Sequence, residues 1–268
     1  MRRIASRQNP IVARYREAAR GGDVLLLDGP HLVQDALAAG VRVTEAAVTA
    51  EAGDSAEIQY LLERFAESGV EVVSVTAPVM AALSPVRSPS AIVALADLPD
   101  RTAKVFGDGN LDPFVVVAAG VQDPGNLGAL IRVAEAAGAT GAIVAGASAN
   151  PYGWKALRGS MGSSLRLPIA TGELEAVLAD IRSRRCRIVA AVPRGGRSLF
   201  DADLAGPLAI LIGSEGGGLP SSALDPADVR VSIPMHGPVE SLNTAVSAAL
   251  LAYEVRRQRV RTHRSVAL

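Results

Sequence analysis

Two short apolar runs constrain this chain more than any other feature. "FVVVAA" at residues 114–119 holds no polar residue and stops at Gly120; "LAILI" at 208–212 stops at Gly213. Such runs are too short for a typical helix and lack the alternation of a half-exposed strand. They read as strands buried on both faces, as in a parallel sheet covered by helices. The first run leads into "VQDPGNLGALIRVAEAAGA", where Asp123, Pro124 and Gly125 make a turn. Leu127, Leu130, Ile131 and Ala134 then share one face of a helix that ends at Gly138. The fold class is therefore α/β.

The same alternation runs through the first hundred residues. Strands are expected at 24–27, 43–49, 70–76 and 91–96, with helices after Gly29, over 55–67 and near 78–83. Residues 98–112 turn polar around Pro99, Gly107 and Gly109 and read as a linker. This divides the chain into an N-terminal α/β domain at 1–97 and a larger domain at 113–268. In the larger domain, strands are expected at 142–145, 187–192 and 229–233, and a helix at 174–183. The loop "NPYGWKALRGSMGSSLRLPI" offers Arg158, Ser160, Gly162 and Ser163 to a polyanion or a dimer partner, with Trp154 as a packing anchor. Arg194 and Arg197 occupy a second polar loop. Ser241, Leu242 and Asn243 open a last helix whose apolar residues include Leu242, Ala245, Val246, Ala249, Leu250 and Tyr253.

Composition excludes several classes. The 49% hydrophobic share suffices for a large core, while 3% aromatics leave few rings for reading single strands by stacking. The single cysteine, Cys186, reads as a buried structural thiol in a reducing compartment, and a cytoplasmic location is expected. An apolar stretch behind the N-terminal arginines is lacking and no window of eighteen apolar residues occurs, so neither a signal peptide nor a membrane span is expected. Net charge is zero, yet arginine gathers at both ends: Arg2, Arg3, Arg7, Arg14, Arg16 and Arg20, then Arg256, Arg257, Arg259, Arg261 and Arg264. These arginines suit phosphate partners or solvated helix faces.

The first turn of the larger domain lacks the G-x-G-x-x-G spacing of a dinucleotide site. Neither a phosphate-binding G-x-x-x-x-G-K-[ST] loop nor a G-x-S-x-G elbow is present. His31, His236 and His263 are far apart, so no metal site is expected. What remains is Asn126, Arg132, Glu215, Ser241 and Asn243, each near a strand end or helix entrance. Singly, Asn126, Ser241 and Asn243 read as helix caps, and Arg132 and Glu215 as solvated charges. Together they suit a pocket.

The segments "NLGALIR", "LIGSEGGGLP" and "IPMHGPVESLNTAVSAALLAYE" occur in this order and resemble the three motifs of the TrmH/SpoU branch of the SPOUT RNA methyltransferases. The likeness spans roughly 114–254. A weaker one links "LDGPHLVQDALAAG" to the opening of that family's accessory RNA-binding domain, with Asp28 where Glu is usual. The resemblance implies a parallel sheet tied into a deep trefoil knot, a homodimer, and S-adenosylmethionine as donor of a methyl group to a ribose 2′-hydroxyl, in ribosomal rather than transfer RNA. A catalytically silent RNA-binding module is the rival reading. Carried onto this chain, Val192, Gly213, Ile233 and Leu242 would hold the cofactor through their backbone. Asn126, Arg132, Glu215, Ser241 and Asn243 would form the catalytic group. A guanidinium keeps its proton in proteins, so Arg132 suits phosphate binding and alkoxide stabilisation rather than base catalysis.

Overall fold

The computed structural model describes residues 1–109 and 112–266. In chain order the elements are β1 (Arg2–Ile4), α1 (Pro10–Arg20), β2 (Val24–Asp28), α2 (Pro30–Ala38), β3 (Val43–Thr49), α3 (Ala56–Ser68), β4 (Glu71–Val75), α4 (Ala77–Leu83) and β5 (Ile92–Asp97). They continue with β6 (Phe114–Ala119), α5 (Pro124–Ala137), β7 (Gly141–Ala145), α6 (Trp154–Ser160), α7 (Ser163–Arg166), β8 (Ile169–Gly172) and α8 (Leu174–Ser183). The last are β9 (Arg187–Ala191), β10 (Arg197–Ser198), β11 (Leu208–Gly213), α9 (Ser221–Leu224), β12 (Val229–Ser232) and α10 (Thr244–Val266). Two units result: Met1–Asp100 with Tyr152–Arg166, and Arg101–Pro151 with Leu167–Leu268.

The first unit is a five-stranded sheet in the order β1-β4-β3-β5-β2. β5 runs antiparallel to both β3 and β2. Its strands alternate sides as a period of two demands: Leu25 and Leu27 face one core with α2 and α3, and Leu26 faces the other with α1 and α4. The excursion 152–166 belongs here, although its position along the chain suggested the larger domain. Leu157 and Leu165 are buried with Val33, Ala36 and Leu61, while Trp154 packs on the opposite cluster as an anchor.

That packing corrects the polyanion reading of this loop. Ser160 and Ser163 are buried. The Ser160 hydroxyl donates to the Leu157 carbonyl (3.0 Å) and accepts from the Ser164 amide (3.3 Å). Gly162, at φ +79°, lies where a Cβ would collide with the Asp35 carboxyl, which pairs with Arg166 at 3.1 Å. Of the four candidates only Arg158 is exposed.

The second unit is an all-parallel sheet in the order β10-β12-β9-β11-β6-β7-β8. From β6 the chain moves outward through β7 and β8. It then crosses to β9 on the far side, and β11 later fills the gap between β9 and β6. The strand order therefore reverses beside β6, the place where open α/β sheets leave a crevice beyond their strand C-termini. Part of the stretch read as a linker is core: Val105 and Phe106 are buried in this unit, and the Val105 carbonyl lies 2.6 Å from where a Gly141 Cβ would stand. Residues 110 and 111 of that stretch lie outside the described residues. Cys186 is buried in the same core, where desolvation pushes its thiol pKa up, consistent with a structural role.

α10 lies along α5 and closes one face. Its buried stripe is Ala245, Ala248, Leu251, Ala252 and Val255, whereas Val246, Leu250 and Tyr253 are exposed, so the expected apolar helix carries two stripes and not one. Its basic end is largely occupied. Arg259 donates to the carbonyls of Asp112 (2.8 Å), Pro113 (2.9 Å) and Gly206 (2.7 Å). Gln258 accepts from the Leu204 amide and donates to the Ala202 carbonyl, and hydrogen bonds from Arg257 hold the Glu254 carboxyl below its ordinary range. The side chains of His263 and Arg264 lie outside the described residues.

Leu157→Ala removes a fully buried side chain from the first unit and should cost about 2–5 kcal/mol. Hydrogen exchange should quicken in β2, β3 and β5; protection unchanged there would disprove the packing of the excursion with this sheet.

Candidate active site

β11 delivers the chain into a tight hairpin. The amide and carbonyl of Ser214 pair with those of Gly218 (3.2 and 3.0 Å), and the Ser214 hydroxyl accepts from the Gly217 amide. The turn folds back on Gly213, where a Cβ would stand 2.3 Å from the Gly218 carbonyl carbon and 2.5 Å from the Leu219 nitrogen. Only glycine admits this return. Glu215 is the single ionisable group the hairpin presents.

α5 starts after β6, with Asp123 as its cap: its carboxylate accepts from the Asn126 amide at 2.7 Å. Asn126 is thus not the cap its position suggested, and its carboxamide is left to act elsewhere. At the other helix entrance, Asn243 is the cap of α10. Its Oδ1 accepts from the amides of Ala245 (2.9 Å) and Val246 (3.3 Å), while Ser241, the alternative cap, sits in the preceding loop.

The two carboxamides and the carboxylate meet. Asn126 Nδ2 donates to Glu215 Oε1, and Asn243 Nδ2 donates to both Asn126 Oδ1 (3.0 Å) and Glu215 Oε1 (3.1 Å). Glu215 Oε1 thereby takes two N–H donors, a fixed environment for an anionic carboxylate with further acceptor sites in reserve. Arg132 lies six residues along α5, about 9 Å further down the helix axis, and is exposed.

Beside this triad is a cleft of about 630 Å³, a size suited to a small-molecule cofactor. Val192, Gly213, Ile233 and Leu242 all line it, as do Glu215 and Ser241. Sequence reasoning missed Arg194 and Glu240 as a pair: they lie on different loops, both line the cleft, and they approach within 3.0 Å. Arg194 was visible as a loop cation, but nothing in the spacing pointed to Glu240. Among the described residues no cluster of three or more His, Cys, Asp or Glu could hold a metal, and no helix is long and apolar enough to cross a membrane.

An all-parallel sheet with a polar triad beside a cleft at its strand C-termini places a candidate small-molecule site where open α/β sheets bind their ligands. Residues 113–253 match the SpoU rRNA Methylase family model, and 14–94 match the MRM3-like substrate binding domain. The chain belongs to the SpoU rRNA methylase family. It is 31% identical over 261 residues to an uncharacterized tRNA/rRNA methyltransferase of Synechocystis, covering 95% of this chain and 93% of that protein. It is 26% identical to the 23S rRNA (guanosine(2553)-2′-O)-methyltransferase RlmP of Bacillus subtilis, covering 87% and 89%. The crystal structure of AviRb from Streptomyces viridochromogenes in complex with AdoMet superposes with a TM-score of 0.84 at 29% identity, covering 92% and 98%.

Asn243→Asp should keep the helix cap but set a second carboxylate against Glu215. Mutual repulsion raises the pair's folded-state pKa above its unfolded value. The variant's stability deficit should therefore be small at low pH and grow as pH rises through the carboxylate range. Asn243→Ala should instead lose about 1 kcal/mol of capping at every pH. Thermal melts across pH check both; a pH-independent deficit in the Asp variant would contradict the contact.

Proposed function

We propose that this protein is an S-adenosylmethionine-dependent methyltransferase acting on a ribose 2′-hydroxyl of structured RNA, with 23S ribosomal RNA as its substrate. One observation carries the reading: Val192, Gly213, Ile233 and Leu242 come from three segments far apart along the chain and line one cleft, with Glu215 of the polar triad on its wall. The cleft fits the donor. Ile212, Val231, Ile233 and Leu242 offer apolar surface to a purine ring, glycine at 213 leaves the backbone open to close approach, and the Glu215 carboxylate suits a molecule bearing a cationic sulfonium.

The bound donor would supply an already activated methyl group. The chain's own task is to orient the hydroxyl and take up its proton as the oxygen–methyl bond forms and the sulfur–methyl bond breaks. Asn126 and Asn243 hold the Glu215 carboxylate in place, and its remaining acceptor sites, or the Ser241 hydroxyl or a water, pass the proton on. Arg132 binds the neighbouring phosphate and stabilises charge developing on the oxygen. Arg132→Ala should abolish transfer of tritiated methyl from S-adenosylmethionine to RNA while cofactor affinity, measured by calorimetry, changes less than about twofold. Retained turnover would refute the role of Arg132, and no labelling of RNA by the unmodified protein would refute the function itself.

We further propose that the segment 233–243, which leads from β12 to α10, is threaded as a trefoil knot, and that the protein works in the cytoplasm as a homodimer. The dimer reading is supported by the second stripe of α10. Val246, Leu250, Tyr253 and Val260 are exposed at helical spacing on a helix that already buries another stripe against α5. Light scattering should give twice the chain mass for the native protein and a monomer for Leu250→Arg/Tyr253→Asp; a dimeric variant would move the interface elsewhere.

A further inference from the structure

In the first unit, two N-terminal arginines are held in an unusual way. Arg7 Nε donates to the Pro78 carbonyl (2.9 Å) in the first turn of α4, and Arg16 Nε donates to the Ala82 carbonyl (3.2 Å) near its end. Each guanidinium is thus tethered through its inner nitrogen. No described carboxylate takes its two outer amino groups, although both side chains are exposed. A third exposed arginine, Arg87, stands four residues beyond α4 without a described partner. Four other arginines of the unit are paired with carboxylates: Arg2, Arg14, Arg42 and Arg64 with Glu71, Glu45, Asp97 and Glu67.

The exposed face of α4 is bare. α4 shows solvent only Ala77, Pro78 and Ala81, and residues 76–96 contain no Asp or Glu. The nearby Asp28 carboxylate is already engaged by the Ser84 hydroxyl. Glu17 follows Arg16 directly on α1, a spacing at which helical side chains do not face each other. Small side chains let a polyanion approach the helix closely. Arg7 and Arg16, pinned at Nε, present paired N–H donors whose orientation is set before binding, which suits phosphate oxygens.

We propose that α4 with Arg7, Arg16 and Arg87 is a platform for the phosphodiester backbone of the RNA substrate. It rests on the RNA-methyltransferase reading and adds to it where the first unit grips its substrate. Recognition is by charge and shape: α4 itself exposes no aromatic ring or carboxamide to read a base edge.

The test uses the full chain and in vitro transcribed 23S rRNA. Arg7→Gln/Arg16→Gln/Arg87→Gln should lower the log–log salt slope of RNA binding by about 2–3, because each phosphate that an arginine neutralises adds roughly 0.7–0.9 to that slope. It should raise KM for RNA about tenfold or more. Methyl transfer at saturating RNA and cofactor affinity should stay unchanged. The corresponding triple Lys variant keeps the charges and should retain most of the slope, whereas Arg42→Gln/Arg64→Gln should leave it untouched. A wild-type slope in the Gln variant overturns the platform and leaves the function standing. Absence of methylation by the native protein refutes the function first.

Discussion

The arrangement depends on one carboxamide. Asn243 uses its oxygen to cap α10 and its nitrogen to bind Asn126 and Glu215, so the start of the last helix and the closure of the triad are one event. The geometry leaves little choice. A cap must place its oxygen over the first free amides of the helix, and that orientation aims the Nδ2 hydrogens away from them. The long helix, docked along α5 and clamped at its far end by Arg259 on three carbonyls, anchors a side chain that would otherwise belong to a flexible loop.

The sheet supplies the other half. Because β11 enters between β9 and β6, its C-terminus sits at the reversal of strand order, and the hairpin after Gly213 carries Glu215 toward the entrance of α5. The missing side chain at Gly213 allows the hairpin to fold back on its own strand. Asp123 caps α5 and so leaves the Asn126 carboxamide to face across the gap. Each polar residue of the triad is thereby fixed by backbone that serves an ordinary structural purpose, which is why each one reads as bland by itself.

Much of this was legible in the chain. The apolar runs became β6 and β11, residues 43–49 and 174–183 became β3 and α8 with the expected bounds, and the four positions expected to hold a cofactor line one cleft. Other features were not. Residues 152–166 carry apolar positions that would suit either core, and nothing local says which sheet receives them. The apolar residues of α10 form two stripes whose burial depends on where α5 lies. The terminal arginines look alike in sequence, yet Arg259 is half-buried on carbonyls, Arg257 pairs with Glu254, and Arg7 and Arg16 are tethered through Nε to carbonyls of α4.

The sequence by itself determined which segments become strands and helices, since burial on both faces and helical spacing are local consequences of side-chain pattern. Motif resemblance also singled out Asn126, Glu215 and Asn243, which the structure brings into contact. Only the tertiary structure decided how those residues are used. Which oxygen caps a helix, which amide meets Glu215, and which arginines keep donors for a ligand all depend on groups distant along the chain. A hydrogen bond forms only between groups that folding brings within about 3 Å in the right direction.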